Sequence, residues 1–146
     1  ALWSKTKIVD LFDYGAFNSG CNSFTSPRMS DEILQKVKPK IFKISALKLD
    51  DYLAIFNVRP DFVKIDAESA EYDILVGMKN TLKEQKPILA IEIGDKPEQR
   101  GRTERLISFL ENLGYQTMEY KEGRFRYHQK RNNYINLYEN LLFLPK

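Results

Sequence analysis

Four acidic residues sit where two short apolar runs end. Asp66, Glu68 and Glu71 follow Phe62-Val63-Lys64-Ile65, and Glu92 follows Ile88-Leu89-Ala90-Ile91. Carboxylates so placed can orient a sulfonium cofactor, accept a proton from a substrate hydroxyl, or hold a metal. In open α/β sheets, ligands bind outside the carboxyl ends of the strands. If the two runs are neighbouring strands, Asp66 and Glu92 face one crevice. A blander reading stands beside this one, in which Asp66 and Glu68 cap the next helix and sit in water. Glu92 fits that reading less well, because a carboxylate ending so apolar a strand needs a partner or access to water.

The surrounding pattern supplies the elements that must position these groups. Ile8–Phe12 reads as a strand, Asn18–Ser23 as a turn, and Ser30–Val37 as one or two helical turns. Ile41–Ser45 is a second strand. Over Lys48–Asn57, Leu49, Tyr52, Leu53 and Phe56 recur at helical spacing. Phe62–Ile65 is a strand, followed by a helix over 70–85 that Ser69 can cap and whose first turn Glu71 and Asp73 suit. Ile88–Ile93 is apolar enough for a strand buried on both faces. A helix over 98–112 ends at Gly114. Tyr115–Tyr120 and Leu141–Leu144 then read as a closing hairpin around a polar, basic and aromatic stretch, 121–140. Alternating strands and helices imply a parallel sheet covered on both faces. The closing pair without a helix implies an antiparallel edge.

The segment Asp61-Phe62-Val63-Lys64-Ile65-Asp66-Ala67-Glu68-Ser69-Ala70-Glu71 resembles the signature of FkbM-type methyltransferases, D-x-[IVL]-K-[IVL]-D-[VA]-E-G-x-E. Leu49-Asp50-Asp51-Tyr52-Leu53 resembles that family's preceding helix. Pro87–Ile93, Gly114-Tyr115 and Asn140–Pro145 resemble its later strands, and Asn22-Ser23-Phe24 resembles a turn. The resemblance covers 45–146 well and the first 45 residues weakly. It implies the C-terminal portion of a Rossmann-like methyltransferase sheet, mostly parallel with an antiparallel final hairpin. It implies S-adenosylmethionine as cofactor and a hydroxyl of a sugar or small natural product as acceptor. Asp66 and Glu68 would line the acceptor side, with Glu92 in support of the acceptor or a metal. By the family's strand order, Ala1 and Leu2 would lie near the adenine, and Asp66 would also face the cofactor. Two departures stand out. Ser69 replaces the family's Gly, and the Gly-rich cofactor loop would lie before Ala1. The expectation is therefore one domain over 1–146, cut from a longer protein and lacking its first cofactor-binding strands, with an exposed sheet edge that favours self-association. A non-catalytic, methyltransferase-like binding domain is the competing reading.

Composition narrows the rest. The 146 residues are 42% hydrophobic and 29% charged, which fits one globular domain. A net charge of +3 is small for a nucleic-acid binder. The single cysteine, Cys21, allows no internal disulfide and points to a reducing compartment, the cytoplasm. One His and one Cys cannot build a zinc site of the usual ligand types. No apolar run is long enough for a membrane span. The only histidine, His128, reads as a surface residue in a polar hairpin, with a general-base role as the rival. Trp3 reads as core packing. Residues 121–131 interleave Lys and Arg with Phe125, Tyr127 and His128. A solvated hairpin is preferred there over a nucleic-acid patch, and a sugar lying across it is a third reading.

Overall fold

A computed structural model describes residues 1–17, 22–24, 37–135 and 137–146. Cys21 and most of the two segments read as the Asn18–Ser23 turn and the Ser30–Val37 helical turns lie outside the described residues. Two seven-residue strands, β1 (Lys7–Asp13) and β2 (Lys40–Ala46), pair antiparallel as a ribbon of their own. Their polar positions meet in register: Asp10 lies opposite Lys43, and the two side chains bond at 2.9 Å.

The remaining strands form one five-stranded sheet in the order β3-β4-β7-β5-β6. They are β3 (Phe62–Ile65), β4 (Ile88–Ile93), β5 (Tyr115–Lys121), β6 (Arg124–Tyr127) and β7 (Glu139–Pro145). β3 and β4 pair parallel, whereas β4–β7, β7–β5 and β5–β6 pair antiparallel. The expectation of a mostly parallel, Rossmann-like sheet is therefore overturned. Two causes are visible. Parallel neighbours need a long crossover, usually a helix. The segment between β6 and β7 holds no helix among its described residues, and β7 enters antiparallel between β4 and β5. The amphipathic β1 and β2, for their part, pair with each other and stay out of the main sheet.

Among the described residues, the helices cover one face of the sheet only. Leu89, Ile91 and Ile93 of β4 are buried while Ile88 is 37% exposed and Ala90 and Glu92 are half-buried, so the strand alternates. The covering layer is α1 (Leu49–Phe56), α2 (Glu71–Gly77), α3 (Lys79–Glu84) and α4 (Arg102–Asn112). Leu49, Leu53, Ile74, Leu75, Leu82, Leu106, Ile107 and Leu110 from these helices pack with Ile65, Leu89, Ile91, Leu141, Phe143 and Tyr115 into one core. Trp3 packs against that core and meets Phe24 edge-on at 5.9 Å, as expected of a packing residue.

The helix expected over 70–85 is broken at Met78. The cause is a cap supplied from afar. Asp50 on α1 accepts hydrogen bonds from the Asn80 and Thr81 backbone N–H groups at 3.0 and 2.9 Å, and from Thr81 Oγ1 at 2.7 Å. Those N–H groups are the unsatisfied donors of a helix start. At the end of α2 the Trp3 carbonyl lies so close that a Cβ on Gly77 would sit 2.1 Å from it, so only glycine fits. The helix expected over 98–112 begins instead as a 3₁₀ turn, Pro97–Gln99, and α4 then starts at Arg102. Buried Asp95 accepts from the Gly101 and Thr103 N–H groups at 2.6 and 2.8 Å and fastens that start. The tight hairpin at the C-terminal end joins β5 to β6 through Glu122-Gly123. Both residues have positive φ, +52° and +78°, as a two-residue hairpin turn requires.

Candidate active site

The carboxyl ends of β3 and β4 lie side by side, and the acids beyond them converge. Carboxylate oxygens of Asp66, Glu68 and Glu92 all lie within 4.8 Å of one another. Asp66 is exposed, and Glu68 and Glu92 are half-buried. The two strands are parallel neighbours, the condition under which Asp66 and Glu92 were expected to face one another. Lys64, which points to the same face of β3 as Asp66, donates to Asp66 Oδ2 at 3.4 Å and to Asn140 Oδ1 at 2.6 Å. Asn140 is the cross-strand partner of Glu92 on β7. Lys64 therefore links β3 to β7 at one end of the sheet, across β4.

The loop carrying Asp66 and Glu68 is held by a residue with a different role from the one expected. Glu71 is 6% exposed, and its Oε1 accepts from both the Ala67 and the Ser69 N–H groups at 3.1 Å. Ser69 does not cap α2. Ala70 occupies the cap position, and the buried Ser69 Oγ has no partner among the described residues. Glu68 and Ser69 both adopt left-handed backbone, with φ of +48° and +79°. That conformation favours glycine and costs other residues roughly 1–2 kcal/mol each. The family's Gly at position 69 is thus explained by the backbone, and Ser69 tolerates the same geometry with strain.

Three carboxylates at this spacing can accept a proton from a bound hydroxyl, and they offer oxygen ligands of the kind a hard divalent cation takes. Ala1 and Leu2 lie along the end of β2. The Ala1 amino group donates to Ser45 O at 2.8 Å, the Ala1 carbonyl accepts from Leu47 N at 3.0 Å, and Leu2 bridges to Leu47.

His128 is not a surface residue. Its side chain is 1% exposed, with Nδ1 donating to Glu119 Oε2 at 2.8 Å and Nε2 facing the Tyr134 hydroxyl at 2.9 Å. The Arg131 guanidinium grips both Glu139 oxygens at 2.8 Å and Glu119 Oε2 at 3.0 Å. The His128 hydrogen bond, helped by Arg131, lowers the Glu119 pKa from its ordinary value of 4.5, against the opposing effect of burial. This network stiffens the segment between β6 and β7, and it borders a cleft of about 680 Å³ at the same end of the sheet. Spacing along the chain did not reveal it, since Glu119, His128, Arg131 and Glu139 follow no local motif.

A cluster of acids at the carboxyl ends of two adjacent parallel strands, with helices packed on one face of a mixed sheet, defines the chain as an α/β domain. The chain belongs to the FkbM methyltransferase family: that family's domain model matches residues 7–117. The match contains Asp66, Glu68 and Glu92 and stops before β6 and β7. No curated protein and no solved structure matches the chain. No helix among the described residues is long and apolar enough to cross a membrane.

Proposed function

We propose that this chain serves transfer of a methyl group from S-adenosylmethionine to a hydroxyl of a sugar or small natural product. The observation that carries the reading is the convergence of Asp66, Glu68 and Glu92 within 4.8 Å at the ends of β3 and β4. Family membership supports the class of reaction. The cofactor, when bound, supplies an electrophilic methyl on a sulfonium. Asp66, the most exposed of the three acids, can face that positive charge. Ala1 and Leu2, bridged to Leu47 at the end of β2, would meet the adenine on this reading.

The chain's own groups act on the acceptor. Asp66 or Glu68 takes the hydroxyl proton as the oxygen attacks, and Glu92 orients the acceptor from the neighbouring strand. Glu71 keeps the loop in place, so that the attacking oxygen is held in line. Such positioning supplies much of the rate in a displacement of this kind. A general base contributes about 10²–10⁴-fold. Asp66→Asn, in the intact gene product, is therefore expected to lower methyl transfer by at least a hundredfold with an unchanged far-UV circular dichroism spectrum. Unchanged turnover ends the assignment.

A further inference from the structure

The sheet register places five side chains in one transverse row on the face opposite the helices, which the described residues leave open. Glu92 pairs with Asn140, and Tyr120 pairs with Phe125. Asp66 follows the last β3–β4 pair and so lies level with Glu92. Tyr120 and Asn140 follow the last β5–β7 pair and so lie level with each other. The row thus runs Asp66, Glu92, Asn140, Tyr120, Phe125, with acids at one end, an amide in the middle and an aromatic pair at the other.

We propose that this row is the acceptor track, and that the acceptor is a carbohydrate of at least two rings. The inference rests on the reading above for the acid end only. Tyr120 and Phe125 lie outside the residues that match the family, so the family assigns them nothing. Neighbouring strands lie about 4.8 Å apart, which puts Tyr120 about 10 Å from Glu92 across the intervening β7. A pyranose ring is about as wide as one strand spacing. A single sugar held at the acids stops short of Tyr120, and a second ring reaches it.

The chemistry at each station suits a sugar. Tyr120 and Phe125 are 64% and 57% exposed, and their rings meet edge to face at 5.2 Å. Contiguous exposed aromatics, unlike single scattered ones, mark interaction surfaces. The negative face of such a ring receives the C–H face of a pyranose. Asn140 is fixed by the Lys64 bond at 2.6 Å, and Gln129 lines the adjoining cleft. Nucleic acid fits less well, because three of the five Lys and Arg side chains between 121 and 131 are engaged in ion pairs. Arg131 is held by Glu139 and Glu119, Lys130 by Glu111 at 3.0 Å, and Arg126 by Glu122. Of these five, Lys121 and Arg124 alone carry no ion pair among the described residues, a small charge for a phosphate backbone.

The test is binding, independent of methyl transfer. Labelled protein is applied to an array of defined mono-, di- and trisaccharides, and the best ligand is titrated by calorimetry. Retention on glycans of two or more rings, and not on monosaccharides, is expected. Tyr120→Ala and Phe125→Ala should each weaken binding about tenfold, as loss of one stacked ring does. Tyr120→Phe, which keeps the ring, should stay within threefold of wild type and guards against misfolding. Glycan retention is read without cofactor or turnover, so its failure is distinguishable from failure of the catalytic assignment. No retained glycan, equal retention of monosaccharides, or an unaffected Tyr120→Ala protein overturns the proposal.

Discussion

Replacing Glu71 tests the claim that one carboxylate oxygen holds the acid loop. Glu71 Oε1 accepts from Ala67 N and Ser69 N, both at 3.1 Å, in a buried position. Hydrogen bonds to a charged group contribute about 1.5–3 kcal/mol each, and leaving buried donors unpaired adds cost. The two bonds share one oxygen, so they are not additive. Glu71→Ala is expected to destabilise the protein by about 3–4 kcal/mol. Glu71→Gln keeps an amide oxygen at the same place and loses only the charge assistance, which roughly doubles a bond's strength. Its expected cost is about 1–2 kcal/mol. Urea unfolding at neutral pH, followed by far-UV circular dichroism, measures both. Equal losses for the two variants refute the reasoning, because they show that the shared acceptor is not what matters. So does a Glu71→Ala protein within about 1 kcal/mol of wild type.

Two further outcomes follow from the same neighbourhood and from the histidine network. Ser69→Gly relieves a φ of +79° and removes a buried hydroxyl without a partner, so the protein should gain about 1 kcal/mol despite the greater freedom of glycine when unfolded; a lower thermal midpoint contradicts this. The Glu119 carboxyl is held below 4.5 in the folded protein, first by the His128 bond, so its stabilisation is complete above pH 4.5 and is lost as the pH falls through the lowered value. Wild type should therefore exceed Glu119→Gln in urea midpoint at pH 7, with the gap closing well below pH 4.5; a gap that persists in acid contradicts the assignment.

What could be read from the sequence was whatever local pattern controls. β3, β4, α1 and the acids at the strand ends all follow from apolar runs and their breakers. The break at Met78 did not, because its cap comes from Asp50, on another helix. β6 was missed because its only signal is the Glu122-Gly123 turn inside a polar stretch. The burial of His128 depends on Glu119, Tyr134 and Arg131, which only the fold assembles. The apolar run Ile88–Ile93 suggested burial on both faces, yet alternation left Ala90 and Glu92 on the open one. A sequence can display a row of strand ends, but the row from Asp66 to Phe125 exists only through register. A one-residue slip would send each of those side chains to the other face.

Strain and clasp together explain why the acid loop can act as a template. Glu68 and Ser69 occupy left-handed backbone that the free chain avoids, and Glu71 holds them there through two N–H groups. A strained conformation persists only where its surroundings over-determine it. Glu71 supplies the hold from beneath, and the exposed Lys64–Asp66 contact at 3.4 Å adds little to it. Glu68 therefore meets an acceptor already in position, and little ordering cost is left for the moment of reaction. On this argument Glu71 does its work by holding the backbone that presents Asp66 and Glu68, while its own carboxylate stays buried and occupied. Its loss would therefore disorder the carboxylates before it altered their chemistry.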